Sequence, residues 1–435
     1  MIKNYYQQIF VLLWICITSC TPVKRISPTM EISREAFASK KTDTLLLSIL
    51  EANPQFFDTI LKNKDQLRVQ IIYTQIDRGS NGMPNPTHHY FNLQPSLYFY
   101  PASTVKLPGA VLALQKLNEL KIAGLSKSTT MITEAGAEGQ TAVYNDPSSA
   151  DGRPTIENYI KKIFLVSDND AYNRLYEFLG QEYINTRLHQ MGYDSIQLLH
   201  RLQVSLTEEQ NRLTNPIRFY DAASKNIYQQ PLIRSNLAYL PRQTFLGSGY
   251  MSGNKLVNRP FDFSKKNRIN LADLHSILQG VVLPESVPGK QRFNLSEEDY
   301  RFLYKYMSMK PGESASPKYD STYTDAYGKF LLFGGEGTIE NKHLRIFNKI
   351  GDAYGFLQDV AYVVDFDKGI EFLLSATIYC NSDGIFNDDK YDYTTIGFPF
   401  MKHLGEALYN YELKRPKKVK PDLSKFKIDY ADKGF

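Results

Sequence analysis

The stretch Tyr100-Pro101-Ala102-Ser103-Thr104-Val105-Lys106 begins an apolar helical repeat. Because residues i and i+3 are neighbours on a helix, Ser103 Oγ and Lys106 Nζ can come within hydrogen-bond reach. A lysine accepts a proton only when it is neutral, and burial or a second cation lowers its pKa toward working pH. The first helical turn also offers unpaired backbone N–H groups, which suit a developing oxyanion. The stretch therefore predicts a nucleophilic serine and its lysine base at the start of a buried helix. The apolar positions that predict the helix are Val105, Ala110, Val111, Leu114, Leu117 and Leu120.

A second string, Ser167-Asp168-Asn169, supplies a hydroxyl and a carboxamide that could complete such a site. The hydroxyl can relay a proton to a departing amine, and the amide can hold both a substrate amide and the Lys106 side chain. On its own the string also fits a helix cap, with Ser167 or Asp168 as the N-cap residue. The S-x-x-K stretch upstream favours the catalytic interpretation. Another S-x-x-K string, Ser424-Lys425-Phe426-Lys427, lies in a basic segment with no apolar helix behind it, and we assign it no site.

A third string, Asn348-Lys349-Ile350-Gly351-Asp352, is followed by two predicted strands. Together the three strings resemble the motifs of the penicillin-recognising serine hydrolases, above all the class A β-lactamases: S-x-x-K, S-D-N and a late K-T-G. The resemblance extends over about residues 44–411. It implies that Ser103 is the nucleophile, Lys106 its proton acceptor and Ser167 the proton shuttle to the leaving nitrogen.

The same resemblance implies the substrate-binding residues. Asn169 would bind the substrate amide, and Lys349 would attract a substrate carboxylate and help to tune Ser167. Gly351 and Asp352 would belong to the same substrate-binding strand. The backbone N–H groups of Ser103 and Asp352 would form the oxyanion hole, and no cofactor is implied.

The order of predicted elements agrees with the α+β fold of that family. This fold has an antiparallel sheet formed by N- and C-terminal segments, flanking helices and an all-helical subdomain. Strands are predicted over 68–74, 89–93, 344–350, 358–365 and 370–380. Helices are predicted over 44–61, 156–163, 170–179, 182–191, 216–226, 271–281, 296–307 and 398–411.

The N-terminus, residues 1–19, is typical of a bacterial lipoprotein signal peptide. Lys3 precedes an apolar run, and Ile17-Thr18-Ser19-Cys20 resembles a lipobox whose cysteine would carry lipid. An ordinary secretory signal is the alternative. Cys16 would leave with the signal and Cys380 would remain alone, so we expect no disulfide framework. The predicted location is the bacterial cell envelope, with the protein lipid-anchored and exposed to the periplasm or at the outer surface.

Residues 20–43 are predicted to be a tether, 44–412 the hydrolase domain and 413–435 a basic tail. The tail is expected to be solvated, with weak contact to an anionic membrane surface as the alternative. Residues 226–270 form an insertion that we cannot match to the family. We expect this insertion to be a loop, with a lid or a docking surface as alternatives.

Two substitutions depart from the class A motifs. Ile350 replaces the usual Thr or Ser, which removes a hydroxyl from the pocket that grips a carboxylate. Gln203 aligns with the glutamate that serves as the base for deacylation. A carboxamide has no proton-accepting pKa near neutrality, so Gln203 cannot activate water in the same way. Glu208 or Glu209 could substitute if the loop shifts register.

Composition and motifs exclude several other classes. The 435 residues are 42% hydrophobic and 22% charged with a net charge of +5, which is ordinary for a folded domain with a large core. We find no nucleic-acid-binding module, no His/Cys spacing for a catalytic metal and no G-x-S-x-G elbow.

Three hypotheses remain. The first is a β-lactamase that opens a β-lactam through acyl-Ser103. The second is a related amidase, peptidase or esterase that acts on cell-wall peptides or small acyl substrates. The third is a non-catalytic binding protein with this fold. We expect a monomer whose partners are a small β-lactam, peptide or amide substrate and, through Cys20, a membrane.

Overall fold

The computed structural model describes residues 41–430 of the chain. The predicted signal peptide, Cys20 and most of the tether lie outside these residues. The helices are α1 (Thr44–Glu51), α2 (Pro54–Lys62), α3 (Lys106–Leu120), α4 (Ile156–Val166), α5 (Asn169–Leu179), α6 (Gln181–Gln190), α7 (Glu208–Arg212), α8 (Leu271–Val282), α9 (Glu297–Ser308) and α10 (Phe398–Lys414). The strands are β1 (Gln70–Arg78), β2 (Pro84–Phe91), β3 (Thr130–Thr133), β4 (Leu213–Thr214), β5 (Ile217–Tyr220), β6 (Asn226–Gln230), β7 (Ile233–Arg234), β8 (Phe245–Leu246), β9 (Gly249–Ser252), β10 (Lys255–Val257), β11 (Phe261–Asp262), β12 (Leu344–Ala353), β13 (Phe356–Asp365), β14 (Ile370–Tyr379) and β15 (Ile385–Phe386).

The main sheet joins the two ends of the described chain. Its strand order is β12-β13-β14-β1-β2, and every neighbouring pair is antiparallel. The early strand β1 lies against the late strand β14, with Gln70 opposite Thr377. Strand β12 lies at one edge of this sheet. The α+β class and the predicted closure of the sheet by early and late segments are confirmed.

The sheet buries a hydrophobic core on each face. Helices α1, α2 and α10 cover one face, around Phe57, Tyr73 and Leu404. Helix α8 crosses the other face, and Leu274 on it belongs to a continuous core that extends into the helices α3, α4 and α5. Strand β13 is buried along its whole length, as a central strand covered on both faces must be.

Several helices begin at a side chain that accepts a hydrogen bond from the first turn. Thr155 caps α4, Asp168 caps α5 and Asn270 caps α8, each through a side-chain oxygen. Each of the helices predicted over 156–163, 170–179, 182–191, 271–281, 296–307 and 398–411 corresponds to a helix of the structure.

Two predictions of local structure were wrong. The segment 216–226 is not a helix, because it forms β5 and then turns into β6. Its burial alternates with a period of two: Ile217 and Phe219 are buried while Arg218 and Tyr220 are partly exposed. The predicted helix over 44–61 is divided into α1 and α2, because Pro54 cannot continue the first helix and begins the second.

The insertion and the basic segment both have defined structure. Within residues 226–270 the chain forms the short strands β6 to β11, and β9 pairs in parallel with β15 from the C-terminal part. The subdomain that the sequence predicted to be all-helical therefore also contains small sheets. After α10, the chain up to residue 430 packs against the domain, since Leu423 and Phe426 are buried and Arg415 forms ion pairs with Glu412 and Asp77.

Candidate active site

The candidate nucleophile lies on a sharp turn that enters α3. Residues Ala102–Val105 form a single 3₁₀ turn, and α3 continues from Lys106. Ala102 has φ +47°, a left-handed conformation that costs a non-glycine residue energy. The Thr104 N–H and hydroxyl both donate to the Pro101 carbonyl, at 3.0 and 2.6 Å, which holds the turn in shape. The turn leaves Ser103 partly exposed while both of its flanking residues are buried.

Lys106 lies fully buried at the foot of the site and contacts three polar residues. Its Nζ is 2.8 Å from Ser103 Oγ, 2.6 Å from Asn169 Oδ1 and 3.2 Å from Ser167 Oγ, and it also donates to the Ser167 carbonyl. Burial lowers the pKa of Lys106 well below its usual range, and the nearby Lys349 cation lowers it further. A lysine that loses its proton readily, in contact with a serine hydroxyl, is equipped to accept that hydroxyl's proton.

Ser167 joins the two lysines of the site. It ends α4 with φ +60°, and the next residue, Asp168, caps α5 by accepting a hydrogen bond from the Ala171 N–H at 2.7 Å. In the string Ser167-Asp168-Asn169, Asp168 therefore caps α5 while the side chains of Ser167 and Asn169 contact Lys106. Lys349 Nζ donates to Ser167 Oγ and to the Ile350 carbonyl, each at 2.9 Å. Burial lowers the pKa of Lys349 to about 7, against the opposing effect of nearby carboxylates.

Strand β12 passes against the nucleophile turn at Gly351. A Cβ on Gly351 would lie 2.8 Å from the Pro101 carbonyl oxygen and 2.9 Å from the Thr104 nitrogen, so only glycine permits this approach. The next residue, Asp352, is exposed. Ile350, at the position of the family's hydroxyl residue, instead packs in the core under α1, α2 and α10. The hydroxyl that the family motif would supply is therefore absent and the position is apolar.

Gln203 lies next to the site, where the sequence alignment placed it. Asn169 Nδ2 donates to Gln203 Oε1 at 2.7 Å, and Gln203 has φ +56°. The preceding residues are fixed to α5: Leu202 exchanges two hydrogen bonds with the Asn173 side chain, at 2.8 and 2.9 Å. The loop that carries Gln203 is thus held firmly beside Asn169.

The alternative carboxylates are engaged elsewhere. Glu208 pairs with Lys265 and Glu209 with Arg234, and both glutamates are exposed on α7. Gln203, not a carboxylate, contacts Asn169. The loop is therefore not shifted so as to bring Glu208 or Glu209 to the position that Gln203 occupies.

Two features of the surroundings were missed from the sequence. The buried Glu177 on α5 contacts Arg174 and Arg201, each at 2.9 Å, and so ties the Gln203 loop to the helix. Near the cleft, Tyr319, Tyr323 and Tyr327 form a row with ring centroids 5.2 and 4.9 Å apart. Because the three tyrosines lie in a segment of turns, their regular spacing in the sequence did not predict these contacts.

Comparisons with known proteins identify the family of this chain. A family model described as the Beta-lactamase enzyme family matches residues 55–411. The chain belongs to this family, which is one of serine hydrolases of the β-lactamase type.

The chain is also similar to solved β-lactamase structures. The structure of a beta-lactamase from Sphaerobacter thermophilus is 12% identical with a TM-score of 0.45, covering 85% of this chain and 98% of that one. A class A beta-lactamase from Clostridium kluyveri is 14% identical with a TM-score of 0.45, covering 82% and 98%. A beta-lactamase from Chitinophaga pinensis is 13% identical with a TM-score of 0.45, covering 82% and 99%. None of the curated proteins compared with the sequence matches it.

Within residues 41–430, no group of His, Cys, Asp or Glu side chains is arranged to hold a metal ion. His88 and His89 point to opposite sides of β2, one toward Thr74 and the other toward Tyr73. The same residues contain no helix that is long and apolar enough to cross a membrane.

Proposed function

We propose that this protein opens an amide, a lactam or an ester through an acyl-Ser103 intermediate. The observation that carries the proposal is the contact between the buried Lys106 amine and Ser103 Oγ, at 2.8 Å. A neutral Lys106 takes the Ser103 proton while Oγ forms a bond to the substrate carbonyl carbon. The bond from that carbon to the leaving nitrogen or oxygen then breaks, and Ser167 gives its hydroxyl proton to the leaving atom while Lys106, 3.2 Å from Ser167 Oγ, passes on the proton it took from Ser103.

The position of Lys349 supports the proposed role of Ser167 as the proton donor. Lys349 holds Ser167 Oγ at 2.9 Å, so the proton donor has a fixed orientation between two amines. The backbone N–H groups of Ser103 and Asp352 are the proposed oxyanion donors, and Gly351 lets β12 come close enough for both to face one carbonyl oxygen. Asn169 is the proposed contact for the substrate amide.

We further propose that the acyl-enzyme is longer-lived than in a β-lactamase with a carboxylate base. Gln203 is the side chain that meets Asn169, and its amide cannot take a proton from water. This favours slow turnover of β-lactams and, as the second candidate function, an amidase, peptidase or esterase for cell-wall peptides or other small acyl substrates.

The test is intact-mass analysis of the domain after incubation with benzylpenicillin, a chromogenic cephalosporin and an uncharged aryl ester. We expect an adduct on Ser103 that persists for many minutes, and no adduct in Ser103→Ala. Ser424→Ala is the matched control, because it removes the serine of the other S-x-x-K string, and it should acylate normally. If no reagent forms an adduct at Ser103, the acyl-serine mechanism is wrong and the non-catalytic binding protein is favoured.

We also propose that Cys20 is lipidated and that the protein faces the periplasm or the outer surface of a bacterial cell. The support is the lipobox-like string that precedes Cys20. Acyl chains on this cysteine would anchor the protein, because each buried methylene contributes roughly 0.8 kcal/mol to membrane binding. Growth with an alkyne fatty acid should label the wild type and leave Cys20→Ala unlabelled. Labelling of Cys20→Ala, or none in either protein, would exclude lipidation at this residue.

A further inference from the structure

An unpaired carboxylate lies beside the candidate nucleophile. Asp352 follows Gly351, the residue that packs on the Ser103 turn, and it is exposed at the surface of the site. Burial by the surrounding protein raises the pKa of its carboxyl group, while the nearby Lys349 and Lys106 favour the charged form. Within residues 41–430, no side chain or backbone group forms a hydrogen bond or an ion pair with this carboxylate. Burial lowers the pKa values of Lys106 and Lys349, and the Asp352 charge opposes both shifts, so Asp352 is within electrostatic range of the cleft floor.

The groups that would hold a substrate carboxylate are not available. Lys349 is only 2% exposed, and its Nζ already donates to Ser167 Oγ and to the Ile350 carbonyl. The Ile350 side chain is apolar and packs in the core. A substrate carboxylate near β12 would therefore meet the Asp352 charge and find neither an exposed ammonium nor a hydroxyl from this strand.

The row of Tyr319, Tyr323 and Tyr327 lies within electrostatic range of the site. Tyr327 is 37% exposed, and its ring centroid is 4.9 Å from that of Tyr323. The pKa of Tyr327 is raised by burial, by Tyr323 and by Asp352, while that of Tyr319, at the other end of the row, is raised by burial and by Asp168. One end of the row is therefore within electrostatic range of Asp352 and the other within range of Asp168. Tyrosine ring faces attract cations.

We infer that Asp352 determines specificity, and that it selects substrates with a cationic or neutral leaving group over substrates with a carboxylate there. The inference rests on the proposed function. It concerns the leaving group because Lys349, three residues before Asp352 on β12, holds Ser167, the group that protonates the leaving atom. A primary or quaternary ammonium is the chemistry that a free carboxylate beside aromatic rings recognises.

The test uses three aryl esters of one acyl group, whose phenol bears a carboxylate, a carboxamide or a trimethylammonium group at the same ring position. Phenol release and intact mass give the rate constant of Ser103 acylation for each. We expect the cationic ester to react at least about tenfold faster than the anionic one, because the Asp352 charge attracts the trimethylammonium group and repels the carboxylate. In Asp352→Asn the ratio of the cationic to the anionic rate constant should fall to within about threefold.

Two further variants make the test specific. Asp367→Asn removes an exposed carboxylate at the turn between β13 and β14, on the far end of the sheet from Asp352, and should keep the wild-type preference. Tyr327→Ala should slow the cationic ester alone.

The outcomes separate the two proposals. If wild type acylates with all three esters at equal rates, or if Asp352→Asn keeps the full preference, the specificity role is wrong while acyl-Ser103 stands. If no ester acylates Ser103, both proposals fail.

Discussion

Gln203→Glu should convert a slow acyl-enzyme into one that turns over. The new carboxylate oxygen can accept the hydrogen bond that Asn169 Nδ2 now donates to Gln203 Oε1 at 2.7 Å, so the side chain keeps its place. Because position 203 is exposed, the carboxylate will be ionised at neutral pH and can take a proton from water.

The expected gain follows from the position of this side chain. Three hydrogen bonds in series, through Asn169 and Lys106, connect Gln203 to Ser103. A general base in such a position contributes about 10² to 10⁴ in rate. One oxygen stays bonded to Asn169, so we expect the lower end, about a hundredfold faster deacylation, which is about 2.7 kcal/mol off the barrier.

The assay is single-turnover decay of the Ser103 adduct, followed by intact mass after excess reagent is removed. Glu208→Gln and Glu209→Gln are the controls, and both should decay like wild type because these glutamates pair with Lys265 and Arg234. Should Gln203→Glu acylate normally and still decay no faster than wild type, Gln203 does not occupy the position of the hydrolytic base.

Further predictions concern other groups of the site. Acylation should depend on one ionisation well below pH 10.5, because burial and Lys349 lower the pKa of Lys106, and a pH–rate profile whose limb lies near 10.5 would contradict this. Lys349→Met should raise the free energy of unfolding by about 2 kcal/mol at pH 6, because the folded protein lowers this lysine's pKa to about 7 and holds its charge at a cost. The gain should shrink as the pH rises above 7, where the folded protein's lysine becomes neutral, and should nearly vanish above 10.5, where the unfolded chain's lysine also loses its charge; urea unfolding at pH 6 and above 10.5 measures both. Gly351→Ala should slow acylation at least about a hundredfold with a normal circular dichroism spectrum, because its Cβ would overlap the nucleophile turn. Arg201→Ala should cost about 3 kcal/mol in urea unfolding, because it removes one of the two guanidinium partners of the buried Glu177; a loss under 1 kcal/mol would mean that this ion pair contributes little.

The sequence predicted which polar groups meet at the candidate site better than it predicted their surroundings. Ser103, Lys106, Ser167 and Lys349 were found because a proton transfer requires particular groups at fixed spacings, and such spacings are visible in a sequence. The helices around them followed from apolar residues at the helical period. Burial of polar groups has no such signal: nothing local distinguishes the ion pair between Glu177 and Arg201 from a surface pair.

Where the prediction was wrong, a local preference competed with a tertiary one. Pro216 is a favourable first residue of a helix, yet the alternation of buried Ile217 and Phe219 with more exposed neighbours fits a strand paired with β3. The row of Tyr319, Tyr323 and Tyr327 lies in a segment of turns, where helical spacing predicts nothing about contact, so only the folded chain brings these rings together.

The pairing of β1 with β14 also sets the time at which the site can form. Gln70 leaves the ribosome long before its partner Thr377, and the hairpin of β1 and β2 is only marginally stable until that partner arrives. Closing so long a loop is slow, and β12, which supplies Lys349 and Asp352, joins the sheet through the same late strands. In the nascent chain, Lys349 therefore cannot be held in place to orient Ser167 until β14 has been synthesised. Any chain cut short before β14 loses the sheet and the candidate site together.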